Sequence, residues 1–205
     1  MAGSTNSGRP IRHLILDRDG VLNREASSGW ITDPQRWVWE DGSLEALGRL
    51  VRLGLRVSIA TNQSCIGRGV ATQAEVDAVH HRLRSEAASA WGAIVPIYVC
   101  PHAPEDGCNC RKPRPGLLFS AIRDSEVPPE ETVFVGDAER DLEAGLAAGL
   151  RVVLVRTGKG RATERRWTRS ELPVFDNLLR VVEALERSPE QSLGFSALEP
   201  ERSLA

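Results

Sequence analysis

The feature that most constrains this fold is a short apolar segment that stops abruptly at two carboxylates. Residues 13–16 are followed at once by Asp17, Asp19 and Gly20. Such a run is typical of a buried strand that delivers acids to the edge of a sheet. Open α/β sheets bind their ligands at that edge. A solvated acidic turn is the alternative interpretation when this segment is considered alone.

The same pattern recurs along the chain. Further strand-like runs at residues 55–60, 94–99, 132–135 and 151–155 alternate with helical patterns. The run at 55–60 ends at Thr61, and the run at 132–135 ends at Gly136-Asp137. Strands that alternate with helices predict a mainly parallel sheet covered on both faces. The expected fold class is therefore α/β, a Rossmann-like three-layer sandwich.

Helix ends are also marked in the sequence. Ser43 is predicted to cap the first helix, and Thr72 with Glu75 predicts a capping box at the start of the second. Pro115 suits the first turn of the third helix. A last helix is expected to start at about Asp176.

Composition indicates one soluble globular domain. The chain has 205 residues, of which 41% are hydrophobic and 26% charged, and its net charge is −2. We expect a disordered leader at residues 1–10, a folded domain at 11–187 and a flexible tail at 188–205. The charge gives no reason to expect nucleic acid, and no apolar run suits a membrane span or a signal peptide. A cytoplasmic monomer is predicted.

The acids at the strand ends predict a metal site. Three carboxylates in one cleft repel one another unless a divalent cation lies between them. Asp17 and Asp137 can offer carboxylate oxygens to Mg²⁺, and Asp19 can offer its backbone carbonyl.

The neighbouring cations predict phosphoryl chemistry. Arg111 and Lys112 follow the third strand, and with Thr61 they could hold a phosphoryl group opposite the metal. Asp17 would attack phosphorus to form an aspartyl phosphate. Asp19 would protonate the leaving oxygen and then activate water.

A second cluster of chemically reactive residues predicts structural zinc. Four soft or borderline ligands lie within eleven residues: Cys100, His102, Cys108 and Cys110. Such a set suits a tetrahedral Zn²⁺ site with every position filled by protein, which would fix the loop that presents Arg111 and Lys112. Unliganded surface thiols are the alternative. Cys65 stands alone and is interpreted as incidental.

Aromatic residues and histidines are assigned mainly to packing. Trp37 and Trp39 are expected to pack over the sheet edge, whereas Trp30, nearer the acids, is a candidate wall of the substrate pocket. His80 and His81 lie in the second helix and are interpreted as solvated or helix-packing residues.

These segments together resemble the haloacid dehalogenase superfamily. The motifs are Asp17-Arg-Asp-Gly-Val-Leu-Asn23, Thr61-Asn-Gln-Ser64 with Gly67-Arg-Gly69, the cysteine and histidine cluster, Arg111-Lys-Pro113 and Gly136-Asp137. More narrowly, they resemble its D-glycero-D-manno-heptose 1,7-bisphosphate phosphatase branch, of which histidinol-phosphate phosphatases are near relatives.

The resemblance implies a Mg²⁺-dependent phosphatase that acts on a small phosphorylated sugar. It assigns Asp17 as nucleophile, Asp19 as acid and base, Thr61 and Lys112 as phosphoryl stabilisers, Arg111 as a substrate-recognition residue and Asp137 as a metal ligand. The polar residues that follow Thr61 are expected to contact substrate: Asn62, Gln63 and Ser64.

The spacing of the motifs leaves no room for a separate cap domain. Substrate specificity is therefore expected to depend on the loops at residues 24–33 and 65–70 and on the zinc-stapled loop, which is the loop that carries the predicted zinc ligands at residues 100–110. Many relatives have a lysine where this chain has Ala138, so that contact is either absent or supplied by Lys159.

The residues leave several functions open. Histidinol phosphate is an alternative substrate, and a phosphoryl-accepting receiver or a zinc-stapled binding module are alternatives of another class.

Overall fold

The computed structural model describes residues 9–26, 29–169, 171–187 and 193. Its centre is a six-stranded sheet in the order β3-β2-β1-β4-β5-β6, in which all neighbouring strands run parallel. The strands are β1 (His13–Leu16), β2 (Arg56–Asn62), β3 (Ile97–Cys100), β4 (Thr132–Gly136), β5 (Arg151–Val155) and β6 (Val174–Phe175). The predicted parallel sheet is confirmed.

Helices cover both faces of the sheet. They are α1 (Ser43–Arg52), α2 (Gln73–Trp91), α3 (Gly116–Ser125), α4 (Glu139–Ala147), α5 (Gly160–Arg166) and α6 (Leu178–Arg187). Side chains alternate across a strand, so Leu14 and Leu16 pack with α1, α2 and α6, whereas Ile15 packs with α3 and α4. The result is the expected three-layer sandwich, with two apolar layers on either side of one buried sheet.

The sheet register brings the strand ends together. Leu16 lies opposite both Ile59 of β2 and Val135 of β4, and the Asp17 N–H donates to Val135 O over 2.9 Å. Polar residues that follow these three strands therefore meet at one edge. The described connections between β1, β2 and β3 hold α1, α2 and short turns, in agreement with the prediction of no separate cap domain.

The helix ends agree with the sequence only in part. The capping box is confirmed, since Glu75 N–H donates to Thr72 Oγ1 and Thr72 N–H donates to Glu75. The prediction for Ser43 is wrong. The cap of α1 is Gly42, with φ of 78°, because the Ser43 hydroxyl donates to Leu22 O and the Glu40 carbonyl instead of accepting from the helix. Pro115 is the cap of α3, one residue before the first turn.

The sequence did not reveal α5 and β6. Strand β6 has only two residues, and α5 has seven residues without an apolar stripe, so neither produces a periodic signal. In addition, β2 extends two residues beyond its predicted end and includes Thr61 and Asn62, and α6 begins at Leu178, two residues after the expected start.

The predicted leader and tail lie almost wholly outside the described residues. Of the described helices, none is long and apolar enough to cross a membrane.

Candidate active site

Three buried aspartates converge at the carboxyl edge of the sheet. Asp17 follows β1, Asp137 follows β4, and Asp141 lies in the first turn of α4. Oxygens of the three carboxylates all lie within 4.8 Å of one another. Burial, followed by the charge of Asp141, raises the pKa of Asp17 to about 6. Burial, followed by Asp141 and Asp17, raises the pKa of Asp137 well above its ordinary value.

This oxygen set fits a divalent cation. Asp137 Oδ2 accepts the Lys159 N–H at 2.7 Å, whereas Asp137 Oδ1 is buried without a hydrogen-bond partner among the described residues. A buried carboxylate oxygen left unpaired is unfavourable unless a cation completes it. Clustered carboxylate oxygens are ligands that Mg²⁺ prefers.

Two glycines allow Asp137 to take this position. A Cβ at Gly20 would lie 2.3 Å from Asp137 Oδ2, and a Cβ at Gly158 would lie 2.2 Å from the same oxygen. Both glycines also have positive φ angles, 87° and 53°. The turn after β1 and the loop after β5 therefore close on Asp137 from two sides.

Lys112 is a fully buried ammonium within this cluster. Its Nζ lies 2.8 Å from Asp17 Oδ1 and 2.7 Å from Asp141 Oδ1, and it donates to Ala60 O at 2.8 Å. Burial opposes its charge, but Asp141 and Asp17 together raise the pKa of Lys112. The ammonium is therefore held charged beside the acid that was predicted to be the nucleophile.

Asn62 holds the backbone of Lys112. Its Nδ2 donates to Lys112 O at 3.0 Å and its Oδ1 accepts the Lys112 N–H at 3.1 Å. The amide that was expected to contact substrate is thus engaged at both ends by the protein.

Asp19 is surrounded by donors. Arg18 Nη2 donates to Oδ1 at 2.8 Å and to Oδ2 at 3.0 Å. Asn23 Nδ2 donates to Oδ1, and Gln63 Nε2 donates to Oδ2, each at 2.9 Å. Burial opposes ionisation, but Arg18 and then the two amides lower the pKa of Asp19. The same Gln63 amide reaches Thr61 Oγ1 at 2.9 Å, so it links Asp19 to Thr61.

Arg18 is itself completely buried, and its guanidinium contacts His80. Its Nη1 lies 2.9 Å from His80 Nε2, and an arginine can only donate, so Nε2 accepts and the ring is neutral. Burial, followed by Arg18, lowers the pKa of His80 to about 3. The interpretation of His80 as a packing residue holds, and its partner is a residue of the site.

The remaining predicted substrate contacts lie in three separate loops, which follow β1, β2 and β3. Ser64 is buried in the turn after β2, and Trp30 is half-buried against Cys65, Ala71 and Val76. Arg111 donates to His102 O at 3.3 Å, and with Lys112 and Cys108 it lines a cavity of about 290 Å³.

Trp37 and Trp39 pack edge to face with ring centroids 5.1 Å apart, and Trp37 is part of the core.

The cysteine and histidine cluster has the dimensions of a zinc site. Five of the six distances between the ligand atoms lie between 3.3 and 3.7 Å, for the residues Cys100, His102, Cys108 and Cys110. A tetrahedral zinc with bonds of about 2.0–2.3 Å needs ligand atoms about 3.3–3.8 Å apart. All four cysteines of the chain are free thiols, so the cluster could hold Zn²⁺.

Sequence reasoning missed two residues of this site. Asp141 was visible as a second acid four positions after Asp137, and it also accepts the Ala138 N–H at 3.0 Å. Arg18 gave no local signal, because its role depends on a neighbour from another element. Lys159, the suggested substitute for a lysine at Ala138, has its Nζ paired with Glu25 at 2.7 Å.

Comparisons with known proteins show what this chain is similar to. A family model described as HAD-hydrolase-like matches residues 109–181. The D-glycero-β-D-manno-heptose-1,7-bisphosphate 7-phosphatase of Pseudomonas putida is 42% identical over 172 residues, which cover 84% of this chain and 98% of the relative. That of Bordetella bronchiseptica is 41% identical over 150 residues, covering 73% of this chain and 83% of the relative.

A solved structure supports the same family assignment. The crystal structure of D,D-heptose 1,7-bisphosphate phosphatase from B. bronchiseptica, complexed with magnesium and phosphate, aligns with a TM-score of 0.81 at 38% identity and covers 86% of this chain and 99% of that one. The fold is thus that of a HAD-like hydrolase. Within that class, the chain belongs to the D-glycero-β-D-manno-heptose-1,7-bisphosphate 7-phosphatase family. The resemblance predicted from the motifs is confirmed.

Proposed function

We propose that this chain removes the 7-phosphate from D-glycero-β-D-manno-heptose 1,7-bisphosphate in a Mg²⁺-dependent reaction. The observation that carries the proposal is the buried cluster of Asp17, Asp137 and Asp141 around the ammonium of Lys112. The names of the relatives and the magnesium and phosphate in a structural neighbour support the substrate and the metal.

Asp17 is the proposed nucleophile. Its Oδ1 accepts the Arg18 N–H at 2.7 Å and lies 2.8 Å from Lys112 Nζ, so the orientation of the carboxylate is fixed before substrate arrives. Attack on phosphorus forms an aspartyl phosphate and releases the sugar alkoxide. Lys112 and the Thr61 hydroxyl stabilise the phosphoryl oxygens.

Asp19 is the proposed acid and base. It protonates the leaving alkoxide, then accepts a proton from the water that attacks the aspartyl phosphate and regenerates Asp17. The donors now around Asp19 favour its anion, which suits the second step. The first step requires the carboxyl group to carry a proton and to release some of these donors.

Asp17, Asp137 and Asp141 would hold Mg²⁺ through carboxylate oxygens, with the Asp19 carbonyl as a further candidate ligand. The ion would supply neutralisation of the charge that develops on the phosphoryl oxygens. Arg111, Ser64 and Trp30 are the proposed substrate contacts. The Cys100, His102, Cys108 and Cys110 cluster is proposed to bind structural Zn²⁺.

We also propose that residues 11–187 form one catalytic domain that works as a cytoplasmic monomer on small phosphorylated sugars, without nucleic-acid or membrane partners. No described helix suits a membrane span. The acid cluster lies within this range, and so does the main apolar core apart from Leu193.

The test is phosphate release, with and without Mg²⁺, from both anomers of the heptose 1,7-bisphosphate, histidinol phosphate and fructose 1,6-bisphosphate, with Asp17→Asn in parallel. We expect selective turnover of the β-anomer that is lost without Mg²⁺ and in Asp17→Asn. Preference for histidinol phosphate would overturn the proposed substrate. Absence of turnover with every ester would overturn the proposed enzymatic function.

A further inference from the structure

The guanidinium of Arg18 lies between the proposed acid and base and a histidine of α2. The side chain of Arg18 is 0% exposed, whereas that of Asp19 is 21% exposed. His80 is also buried, and its helix is packed into the core through Val79 and Leu83. Of Arg18, Asp19 and His80, only Asp19 is therefore open to a substrate. The other two side chains can act on the reaction only through a neighbour.

The guanidinium is held in one plane. Its Nη2 donates to both carboxylate oxygens of Asp19, and its Nη1 donates to His80 Nε2 at 2.9 Å. Its central carbon also lies 5.9 Å from the centre of the Trp37 ring, within the range of a cation–π contact. A guanidinium is planar and rigid, so a contact that fixes Nη1 also fixes the direction of Nη2. His80 thereby determines how Arg18 meets Asp19.

A contribution to stability does not by itself account for this arrangement. A buried ion pair contributes little net stability relative to apolar residues of similar volume, because desolvation offsets the attraction. In addition, Nε of Arg18 is buried without a hydrogen-bond partner among the described residues, which is unfavourable. What the pair does supply is a fixed direction for the Asp19 carboxylate.

That direction keeps Asp19 close to the proposed phosphoryl-binding hydroxyl. Gln63 Nε2 contacts both Asp19 Oδ2 and Thr61 Oγ1, each at 2.9 Å. In each half of the proposed reaction, Asp19 exchanges a proton with an oxygen, and the neutral amides that contact it can be released for this step. Arg18 can stay in place, because His80 anchors it from the opposite side.

We propose that Arg18 and His80 are positioning residues for the proposed reaction. His80 holds the guanidinium, and the guanidinium holds the Asp19 carboxylate in the orientation from which it exchanges protons. Neither residue contacts the substrate. The inference rests on the proposed function, in which Asp19 is the acid and base.

The test is steady-state hydrolysis of the β-anomer of the heptose 1,7-bisphosphate by the full chain, with Mg²⁺ dependence and melting temperature measured alongside. His80→Leu removes the acceptor for Arg18. His80→Gln restores one, because its amide oxygen can accept the same hydrogen bond. Arg18→Met removes the guanidinium itself. His81→Leu is the matched control, since His81 is the next residue of α2 and is exposed.

We expect kcat to fall on the order of tenfold in His80→Leu and tenfold to a hundredfold in Arg18→Met. KM should stay within about twofold, because a misdirected acid and base weakens an interaction made only in the transition state. His80→Gln should recover most of the lost kcat, and His81→Leu should keep both constants. The two His80 variants carry the test if Arg18→Met does not fold.

A kcat within about twofold of the unaltered protein in His80→Leu would overturn the inference. A higher KM at constant kcat would also overturn it, and so would a His80→Gln variant as slow as His80→Leu. A Mg²⁺ requirement that rises in step with the loss of kcat would do the same, since the metal site itself would then be disturbed.

Failure of the proposed function gives a different result. If the unaltered protein hydrolyses no heptose bisphosphate, the proposed function fails and the inference fails with it. If the unaltered protein is active and the His80 variants match it, only the inference fails.

Discussion

Lys112 Nζ lies 2.7 Å from Asp141 Oδ1, so a residue that follows β3 is paired with one in the first turn of α4. The same ammonium contacts Asp17, which follows β1. One side chain therefore joins three separate parts of the site. Loss of Lys112 would leave the buried carboxylates of Asp17 and Asp141 without this cation, which is strongly destabilising.

Asp141→Asn tests this pairing. The amide keeps an acceptor for the Ala138 N–H but removes a charge beside Lys112 and the metal ligands. We expect the Mg²⁺ concentration for half-maximal phosphate release to rise on the order of tenfold to a hundredfold. Glu139→Gln, an exposed acid in the same helical turn, is the control and should leave it unchanged. Equal responses in the two variants would contradict a role for Asp141 at the metal.

Gly158→Ala tests the close approach of the loop to Asp137. Its Cβ would meet Asp137 Oδ2 at 2.2 Å, so we expect Asp137 to shift and phosphate release to fall at least about tenfold. Gly54→Ala is matched, since Gly54 also has a positive φ but nothing lies within 4 Å of its Cβ. That control should lose about 1–2 kcal/mol of stability and retain activity. Full activity in Gly158→Ala would contradict this prediction, because the loop would then move without displacing Asp137.

Cys110→Ser tests the zinc site. We expect the zinc content, measured by plasma mass spectrometry, to fall well below one equivalent, together with a lower melting temperature, because structural zinc contributes directly to folding free energy. Cys65→Ala, which removes a buried thiol outside the cluster, should keep its zinc. A protein purified without zinc, yet equally stable, would contradict this prediction.

His13 predicts a pH dependence of stability away from the site. Burial, followed by Arg56, lowers the pKa of His13 to about 4, and its Nε2 lies 2.6 Å from Ser58 Oγ. Between pH 6.5 and 4 the unfolded chain binds the extra proton, so this contribution is complete above pH 6.5 and is lost as the pH falls towards 4.

The expected loss from His13 at pH 5 is about 2 kcal/mol relative to pH 7.5. Urea unfolding at the two pH values should show a change smaller by about that amount in His13→Gln. Comparing variants cancels the contributions of other titrating groups. If the free energy of unfolding changed equally between the two pH values in both proteins, His13 would be accessible to protons in the folded state.

The sequence predicted five of the six strands, because buried parallel strands are short, continuous apolar runs. The third strand nevertheless begins at Ile97, three residues after its predicted start. It also predicted that Asp17, Asp137 and Lys112 would meet, since parallel strands align their carboxyl ends. It could not predict that Arg18 would be buried against His80, which lies 62 positions away. Such contacts depend on tertiary packing, and no local pattern encodes them.

The pairing of Asn62 with Lys112 has a consequence for how the site can change. The amide exchanges two hydrogen bonds with the peptide groups of Lys112, in the way that a neighbouring strand would. These two hydrogen bonds fix the backbone of Lys112 relative to the sheet, as if Lys112 were one more residue of a strand. The position of the ammonium beside the nucleophile is therefore set by the sheet itself as well as by the loop between β3 and Lys112.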